Sequence, residues 1–496
     1  MRELELKFGV HASFTVPAFD EEPSGVAQME KLPSQDLRAT YYDTEDLRLA
    51  RDRITLRYRR GEEGGPRWTL KLPVRGSSLV HRDEHDFAPV GRRVPAEARS
   101  LVTAYVRTAS LDPVATIHTK RRRWALRSDD RELAELVDDE VSVLEGRKVV
   151  SRFRELEIEA REASITELER IAEVLRSAGA TDLEPIPKAV RAMGPRATAA
   201  PDPVVDPKVG PDEPAANAVQ AALVRGVRRL IEHDSETRLG EPEGVHQMRV
   251  AARRLRSDLR TFEVVLDPAW VETLTIDLKW LAKLLGGVRD MDVLLDRLHR
   301  DANDLEGDLK PLFHALEGQR EVKREALMSG LTGDRFPAML DRLMEAAAAP
   351  GLTEQASAPA AEILLAPVAA TWKELSPLAR KLDESSADDD YHTVRIYAKR
   401  TRYASEAVIE VFGKEAKRYA SAAADVQEVL GEHQDAIVAR DAILEIARAD
   451  EESVDLHLAA GRLAERQDHA ARRARARFTS VWSDIDRKKT RGWLTH

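Results

Sequence analysis

Cysteine is absent from the 496 residues. That removes disulfides, thiolate nucleophiles and cysteine-ligated zinc or iron–sulfur sites, and it suits a reducing cytoplasm. Aromatic side chains make up only 5% of the chain, which leaves little for the stacking platforms of single-stranded nucleic-acid binders. No stretch reaches the ~18 uncharged apolar residues of a spanning helix, so no membrane span is expected. The first residues, Met1-Arg2-Glu3-Leu4-Glu5, lack the basic-then-apolar pattern of a secretory leader. The G-x-x-x-x-G-K-[ST] phosphate loop and the protein-kinase signatures are also missing. Net positive charge is missing too, since 77 basic residues face 87 acidic ones for a net −10. Net charge governs solubility and long-range steering, however, whereas a site is made by local patterning.

The patterning falls into two regimes. Up to about residue 160, short period-2 segments recur at Glu3–Phe8, Ile54–Arg59, Arg67–Leu72, Arg121–Leu126 and Arg154–Glu159, which predicts an antiparallel β body. A helix is expected over 164–178, opened by Ser164 with Glu167 three residues on and closed by Gly179. Six prolines between Pro195 and Pro214 mark an extended linker, assigned to 199–214. From 215 to about 490 the period is 3.6 and strand signals vanish, so this region is expected to be all-α. It contains a repeat. His246-x-x-Arg249-x-x-x-Arg253-Arg254-x-Arg256 recurs as His392-x-x-Arg395-x-x-x-Lys399-Arg400-x-Arg402, and Leu285-Gly286 with Asp290 recurs as Leu430-Gly431 with Asp435. Two points of register predict a duplicated helical bundle with a pseudo-two-fold axis. The expected class is α+β multidomain.

In the β region one face of each strand is charged. Glu3, Glu5 and Lys7 share a face, as do Arg57 and Arg59, Thr69 and Lys71, Arg82 and Glu84, Arg121 and Arg123, and Glu155, Glu157 and Glu159. A solvated sheet face would show the same alternation. If the apolar faces pack under helices instead, the charged faces close on one another. Charges buried in that way must pair or hold ions. Carboxylates supply hard oxygen ligands for Mg²⁺ or Mn²⁺, and the cations supply phosphate clamps.

The ordered motifs E-x-E-x-K at Glu3–Lys7, Y-Y-D-T at Tyr41–Thr44, L-R-Y-R at Leu56–Arg59, T-L-K-L at Thr69–Leu72 and E-L-E-I-E at Glu155–Glu159 resemble the CYTH family of triphosphate tunnel metalloenzymes. The resemblance covers about residues 1–195, within a domain taken as 1–198. It implies a closed antiparallel β-barrel tunnel with flanking helices, and metal-dependent hydrolysis of inorganic triphosphate. Its metal set would be Glu3, Glu5, Asp138, Glu155, Glu157 and Glu159. Asp138 is preferred to Asp139 because it follows the apolar pair Leu136-Val137. Its phosphate-binding set would be Lys7, Arg57, Arg59, Lys71, Arg82, Arg121, Arg123 and Lys188, and Glu3, Glu5 and Lys7 would carry the catalysis.

In the helical region, His246, Arg249, Arg253, Arg256 and Arg260 fall on one helix stripe, and His392, Arg395, Lys399 and Arg402 on another. A basic stripe with almost no interleaved acid repels itself, so an external anion favours it. Lys279, Lys283 and Arg289 add to it from a neighbouring helix. A solvated helix face is the plain reading of one such stripe, and the repeat argues against it. Histidine metal ligation has poor spacing support. This region, together with Arg289-Asp290-Met291-Asp292 and Leu430-Gly431-Glu432-His433-Gln434-Asp435, is similar to the CHAD family, over about 215–485. That resemblance implies paired four-helix bundles binding inorganic polyphosphate, without catalysis. Nucleic acid is not an expected partner. The expected location is the cytoplasm, in association with polyphosphate granules. A non-catalytic polyphosphate receptor and an enzyme acting on ATP or thiamine triphosphate remain alternative readings.

Overall fold

The period-2 segments form strands in the computed structural model, which describes residues 5–19, 24–62, 64–73, 82–88, 91, 93–183, 187–450 and 453–495. The chain divides into two compact units, Met1–Asp202 and Pro203–His496.

The first unit contains β1 (Glu5–Gly9), β2 (Gln28–Asp43), β3 (Thr55–Arg60), β4 (Arg67–Pro73), β5 (Arg82–Phe87), β6 (Asp112–Ser128), β7 (Arg131–Glu145), β8 (Lys148–Ala160) and β9 (Thr181–Asp182). Its helices are α1 (Arg48–Arg51), α2 (Ala96–Leu101), α3 (Thr103–Val106), α4 (Ile165–Ser177) and α5 (Lys188–Met193). The strands make one antiparallel sheet in the order β5-β4-β3-β2-β6-β7-β8-β1-β9. Strand β2 sits mid-sheet although it contains Pro33, and the register shifts between Leu32 and Gln35. A bulge there accommodates the missing N–H.

The expected closed barrel is not formed by strand pairing. Edges β5 and β9 share no ladder among the described residues, and β9 has only two residues with which to offer one. The sheet is instead strongly curled, because strands from both ends of its order line one cavity.

The two faces of the sheet are covered differently. On the convex face, Phe8, Leu126, Leu136, Leu156 and Ile158 pack under Leu168, Ile171 and Leu175 of α4. Each of those three helix side chains contributes ~1.5–3 kcal/mol of burial. The predicted capping box at Ser164 and Glu167 is formed. On the concave face, Ala39, Ile117, Val141 and Val143 make an apolar end against Ala189 of α5. That contact brings Lys188, at the start of α5, over the charged end of the same face. Asp43 of the Y-Y-D-T motif is structural. Its buried carboxylate accepts N–H bonds from Thr44 (2.7 Å), Leu49 (2.9 Å) and Ala50 (2.9 Å), which fixes the turn into α1.

The second unit is all-helical: α6 (Ala215–Glu232), α7 (Asp234–Leu239), α8 (Pro242–Thr261), α9 (Pro268–Ala302), α10 (Lys310–Thr332), α11 (Arg335–Ala348), α12 (Ala360–Ala379), α13 (Asp388–Ala407), α14 (Ile409–Ala449), α15 (Val454–Asp486) and α16 (Lys488–Arg491). Helices α8 and α13 each have 20 residues, and their bounds coincide at a shift of 146. The two pack against each other. Helix α14 breaks near its start at Gly413, whose φ of 61° a side chain would resist. No helix among the described residues is long and apolar enough to cross a membrane.

The proline-rich segment is held at both ends. Arg51 donates to Ala200 O (2.9 Å) and to Asp202 (2.5 Å) in the first unit. In the second, Ala361 and Ala360 donate to the carbonyls of Pro211 (3.0 Å) and Glu213 (2.8 Å).

Candidate active site and anion-binding groove

Register places the charged residues of the first unit together. Glu5 lies opposite Glu159, Lys7 opposite Glu157, and Arg121 opposite Asp139, which itself lies opposite Glu155. Alternation turns all of them onto the concave face, where Glu5, Lys7, Arg121, Glu157 and Glu159 line a cavity of about 210 Å³. Among the described residues its walls carry six cations (Lys7, Arg57, Arg59, Lys71, Arg121 and Lys188) against four carboxylates (Glu5, Glu84, Glu157 and Glu159), with Tyr41, Thr55 and Pro187 between them.

Glu157 anchors the cations. It accepts from Lys7 (2.7 Å) and Lys188 (3.0 Å) and lies 3.4 Å from Arg121. Burial pushes its carboxyl up, but Lys188, Lys7 and Arg121 outweigh that and hold it well below the usual carboxylate range. Glu155 pairs with Arg191 (2.6 Å) and Lys188 (3.4 Å). At the other wall, Glu84 meets Lys71 (2.6 Å) and Arg57 (4.0 Å), and Glu62 reaches back to Arg59. The turn carrying Glu62 needs Gly61, at φ 101°, because a Cβ there would lie 2.0 Å from Asp36 O. Burial, then the charge of Arg57, lowers Arg59 to about 10. The Nε atoms of Arg57 and Arg59 are buried without a hydrogen-bond partner among the described residues. Buried donors of that kind suit an anion.

Glu5 and Glu159 face each other across adjacent strands. Like charges in that position repel. Burial, then the charge of Glu157, pushes Glu159 up to about 7. A divalent cation between the two would relieve both effects, and their oxygens are the hard donors that Mg²⁺ and Mn²⁺ prefer. No ready-made cluster of three ligands exists among the described residues.

Several expected positions fall elsewhere. Glu3 lies outside the described residues, as does the side chain of Arg82. Asp138, expected to ligate metal, is turned to the convex side, opposite Leu156, where Arg154 holds it with two bonds of 2.8 Å. Asp139 faces the cavity side instead, bonded to Arg121 (2.8 Å) and to Lys188. Period 2 decides between neighbours, and the register with Glu155 was the missing datum. Arg123 is on the concave face but does not line the cavity, because Glu135 holds its guanidinium (3.0 Å to Nη2). Sequence reasoning did not single out Tyr41, which hydrogen-bonds Arg57, or Glu62, Glu84 and Arg191 as site residues.

In the second unit the two basic stripes converge. Arg253, Arg395, Arg249 and Arg256 all act on Lys399, and burial together with these charges lowers its ammonium to about 7. The Nε atoms of Arg253, Arg256 and Arg395 are buried without a partner among the described residues. Arg253 also lies 5.4 Å over the Tyr403 ring. The glycines of the repeated Leu-Gly pair lie beside the cations, since a Cβ at Gly286 would come into van der Waals contact with Arg249 Nε (3.8 Å) and one at Gly431 with Arg395 Nε (3.9 Å). Burial, then Arg289, lowers His246. His392 Nδ1 lies 2.6 Å from Gln434 Oε1, so that histidine is a hydrogen-bonded part of the frame. Arg249 pairs with Asp290 (2.8 Å) and Arg402 with Glu406 (2.7 Å). Lys279 and Lys283 are exposed and share a stripe of α9 with Gly286 by helical spacing. Arg260 does not join the cluster on Lys399 but lines a separate cleft with Arg400.

Residues 1–192 match the CYTH domain model and residues 221–444 match the CHAD domain model. The chain carries a CYTH domain followed by a CHAD domain. The whole arrangement recurs in the uncharacterized proteins MT2285 and Rv2226 of Mycobacterium tuberculosis, each 29% identical over 514 residues that cover 98% of this chain and 96% of the relative. Among solved structures, PptA from Streptomyces chartreusis is 22% identical with a TM-score of 0.46, over 55% of this chain and 100% of that one. The CHAD domain from the plant Ricinus communis is 28% identical with a TM-score of 0.42, over 58% and 93%.

Proposed function

We propose that the CYTH domain binds inorganic triphosphate with Mg²⁺ or Mn²⁺ and hydrolyses it, while the CHAD domain binds inorganic polyphosphate. Members of the CYTH family are metal-dependent triphosphate hydrolases or cyclases. The observation that carries the hydrolase reading is the cavity itself, in which six cations converge beside the opposed pair Glu5 and Glu159.

Glu5 and Glu159 would hold the metal ion, joined by Glu3 on the family resemblance of the E-x-E-x-K motif. Bound there, such an ion neutralises phosphate oxygens and acidifies a coordinated water. The chain's own groups do the rest. Lys7, Arg121 and Lys188 are already aligned on Glu157 and would exchange that carboxylate for phosphate oxygens with little movement. Arg57 and Arg59 would offer the phosphates their Nε donors, which have no partner among the described residues. Fixed charges in a narrow site stabilise a phosphoryl transition state, whose charge is spread over its equatorial oxygens, better than mobile water does. Tyr41 is the one aromatic ring among the described residues of the lining, and it is bonded to Arg57 rather than offered to a base. That favours a linear phosphate over a nucleotide.

Phosphate release from triphosphate, ATP and long polyphosphate, each with Mg²⁺, Mn²⁺ or chelator, tests the reading. Metal-dependent release from triphosphate above all others is expected. Binding of triphosphate without release would reduce the domain to a receptor. The same reading puts the protein in the cytoplasm, where polyphosphate granules would supply the ligand of the second domain.

A further inference from the structure

Helices α8 and α13 repeat at a shift of 146, yet beside the basic stripes their chemistry diverges. Arg254 lies 3.0 Å from Asp258, pairs with Glu406 of the other helix and sits 5.8 Å over the Tyr403 ring. This cluster is closed: Asp258 and Tyr403 are buried. Under the repeat, Arg254 corresponds to Arg400 and Asp258 to Ala404, while Tyr403 corresponds to Ser257 and Glu406 to Arg260. The arginine is kept, both carboxylates are gone, and the ring has become a hydroxymethyl group. All four counterparts line one cleft of about 420 Å³, floored by Pro367 and Ala370 of α12.

We propose that this cleft binds a small organic carboxylate with a flat apolar body. The ligand would supply what the closed cluster holds in place: a carboxylate for Arg400 and Arg260, and a planar group in the space of the Tyr403 ring. Arg400 lies 4.7 Å over the Tyr397 ring of its own helix and meets Glu374 at 3.8 Å, beyond hydrogen-bond distance, with the Glu374 side chain 48% exposed. Arg260 lines the same cleft as an exposed side chain. Glu263 and Glu374 also line the cleft, and their repulsion grows with each charge on the ligand, which disfavours a polyanion. A monoanion can use the arginine fork and still bury its apolar part against Val264, Pro367 and Ala370. The cleft is therefore a site apart from the groove around Lys399.

Benzoate is the probe, titrated calorimetrically into the full-length chain. Saturable binding is expected, weakened about tenfold by Arg400→Ala through loss of the charge-assisted contact. Ala404→Asp restores the carboxylate of the closed cluster and should abolish benzoate binding while raising the melting temperature. Both variants should bind long polyphosphate as the parent does. Arg400 is a partly exposed side chain, so its variant carries the test if Ala404→Asp does not fold. Absence of saturable benzoate binding, or equal binding by parent and Arg400→Ala, overturns the site. Preference for phenyl phosphate over benzoate overturns the carboxylate assignment.

Discussion

At the scale of the residue, the first domain's chemistry depends on which side of a strand each charge occupies. Glu5 is unlike Glu157: it lies opposite another carboxylate and meets Lys7 at 3.3 Å, whereas Glu157 gathers Lys7, Lys188 and Arg121. Replacing Glu5 by Gln keeps the shape and removes the charge, so hydrolysis should nearly vanish with the circular dichroism spectrum unchanged. Parental turnover in metal-buffered solution would refute the metal role. Lys7→Ala and Arg59→Ala should each cost ~1–3 kcal/mol in triphosphate binding and positioning, as for a lost charge-assisted contact. The neighbours Asp138 and Asp139 should separate cleanly. Asp139→Asn should lower activity through Arg121 and Lys188, whereas Asp138→Asn should lower stability through Arg154, read as melting temperature against turnover. The alternation of Glu155, Glu157 and Glu159 was legible because period 2 is written in the sequence. The choice between Asp138 and Asp139 was not, because it depends on the register between two distant strands.

At the scale of the element, α5 and the α8–α13 pair do the positioning. Helix α5 is only six residues long, and its sequence says little about where it sits. Ala189 in the apolar end of the concave face, and Arg191 stacked on Phe153 (4.2 Å) and paired with Glu155, hold it in place. Arg191→Ala should therefore raise KM more than it lowers kcat, by loosening Lys188. A kcat loss with unchanged KM would place Arg191 in the chemistry instead. The repeat that made the helical pair legible also concealed its asymmetry: matching His, Arg and Lys positions predicted the convergent stripes, while Arg254 and Arg400 looked equivalent. Only packing shows Arg254 closed in an ion cluster and Arg400 lining a cleft. Reversing Arg253 and Lys399 together should abolish polyphosphate binding, and reversing the exposed Lys414 and Lys417 should change it little. Equal losses would mean that general positive charge attracts the ligand.

At the scale of the whole molecule, each end of the proline-rich segment is tied to its own unit, so a cut between Asp202 and Pro203 breaks neither set of anchors. Residues 1–202 should hydrolyse triphosphate alone, and residues 203–496 should bind polyphosphate without hydrolysing it. That binding should fall steeply with salt, as it does when cations displace counterions from a nucleic acid. It should also depend on pH through Lys399, lowered to about 7 by burial and by Arg253, Arg395, Arg249 and Arg256. An unfolded lysine titrates near ~10.4. Below about 7 the ammonium is charged in both states, and the cost of burying it is fully present. Between about 7 and ~10.4 the unfolded chain binds the extra proton, so the free domain gains stability as pH rises through that window. A bound polyanion acts in the opposite sense, because it stabilises the ammonium and draws a proton in. Polyphosphate binding should accordingly weaken as pH rises from about 7 to ~8.5, with net proton uptake. Calorimetric titrations in two buffers of different ionisation enthalpy would count those protons. Uptake near pH 8 that disappears in Lys399→Met is the expected result, and uptake unchanged in that variant would assign the proton to another group.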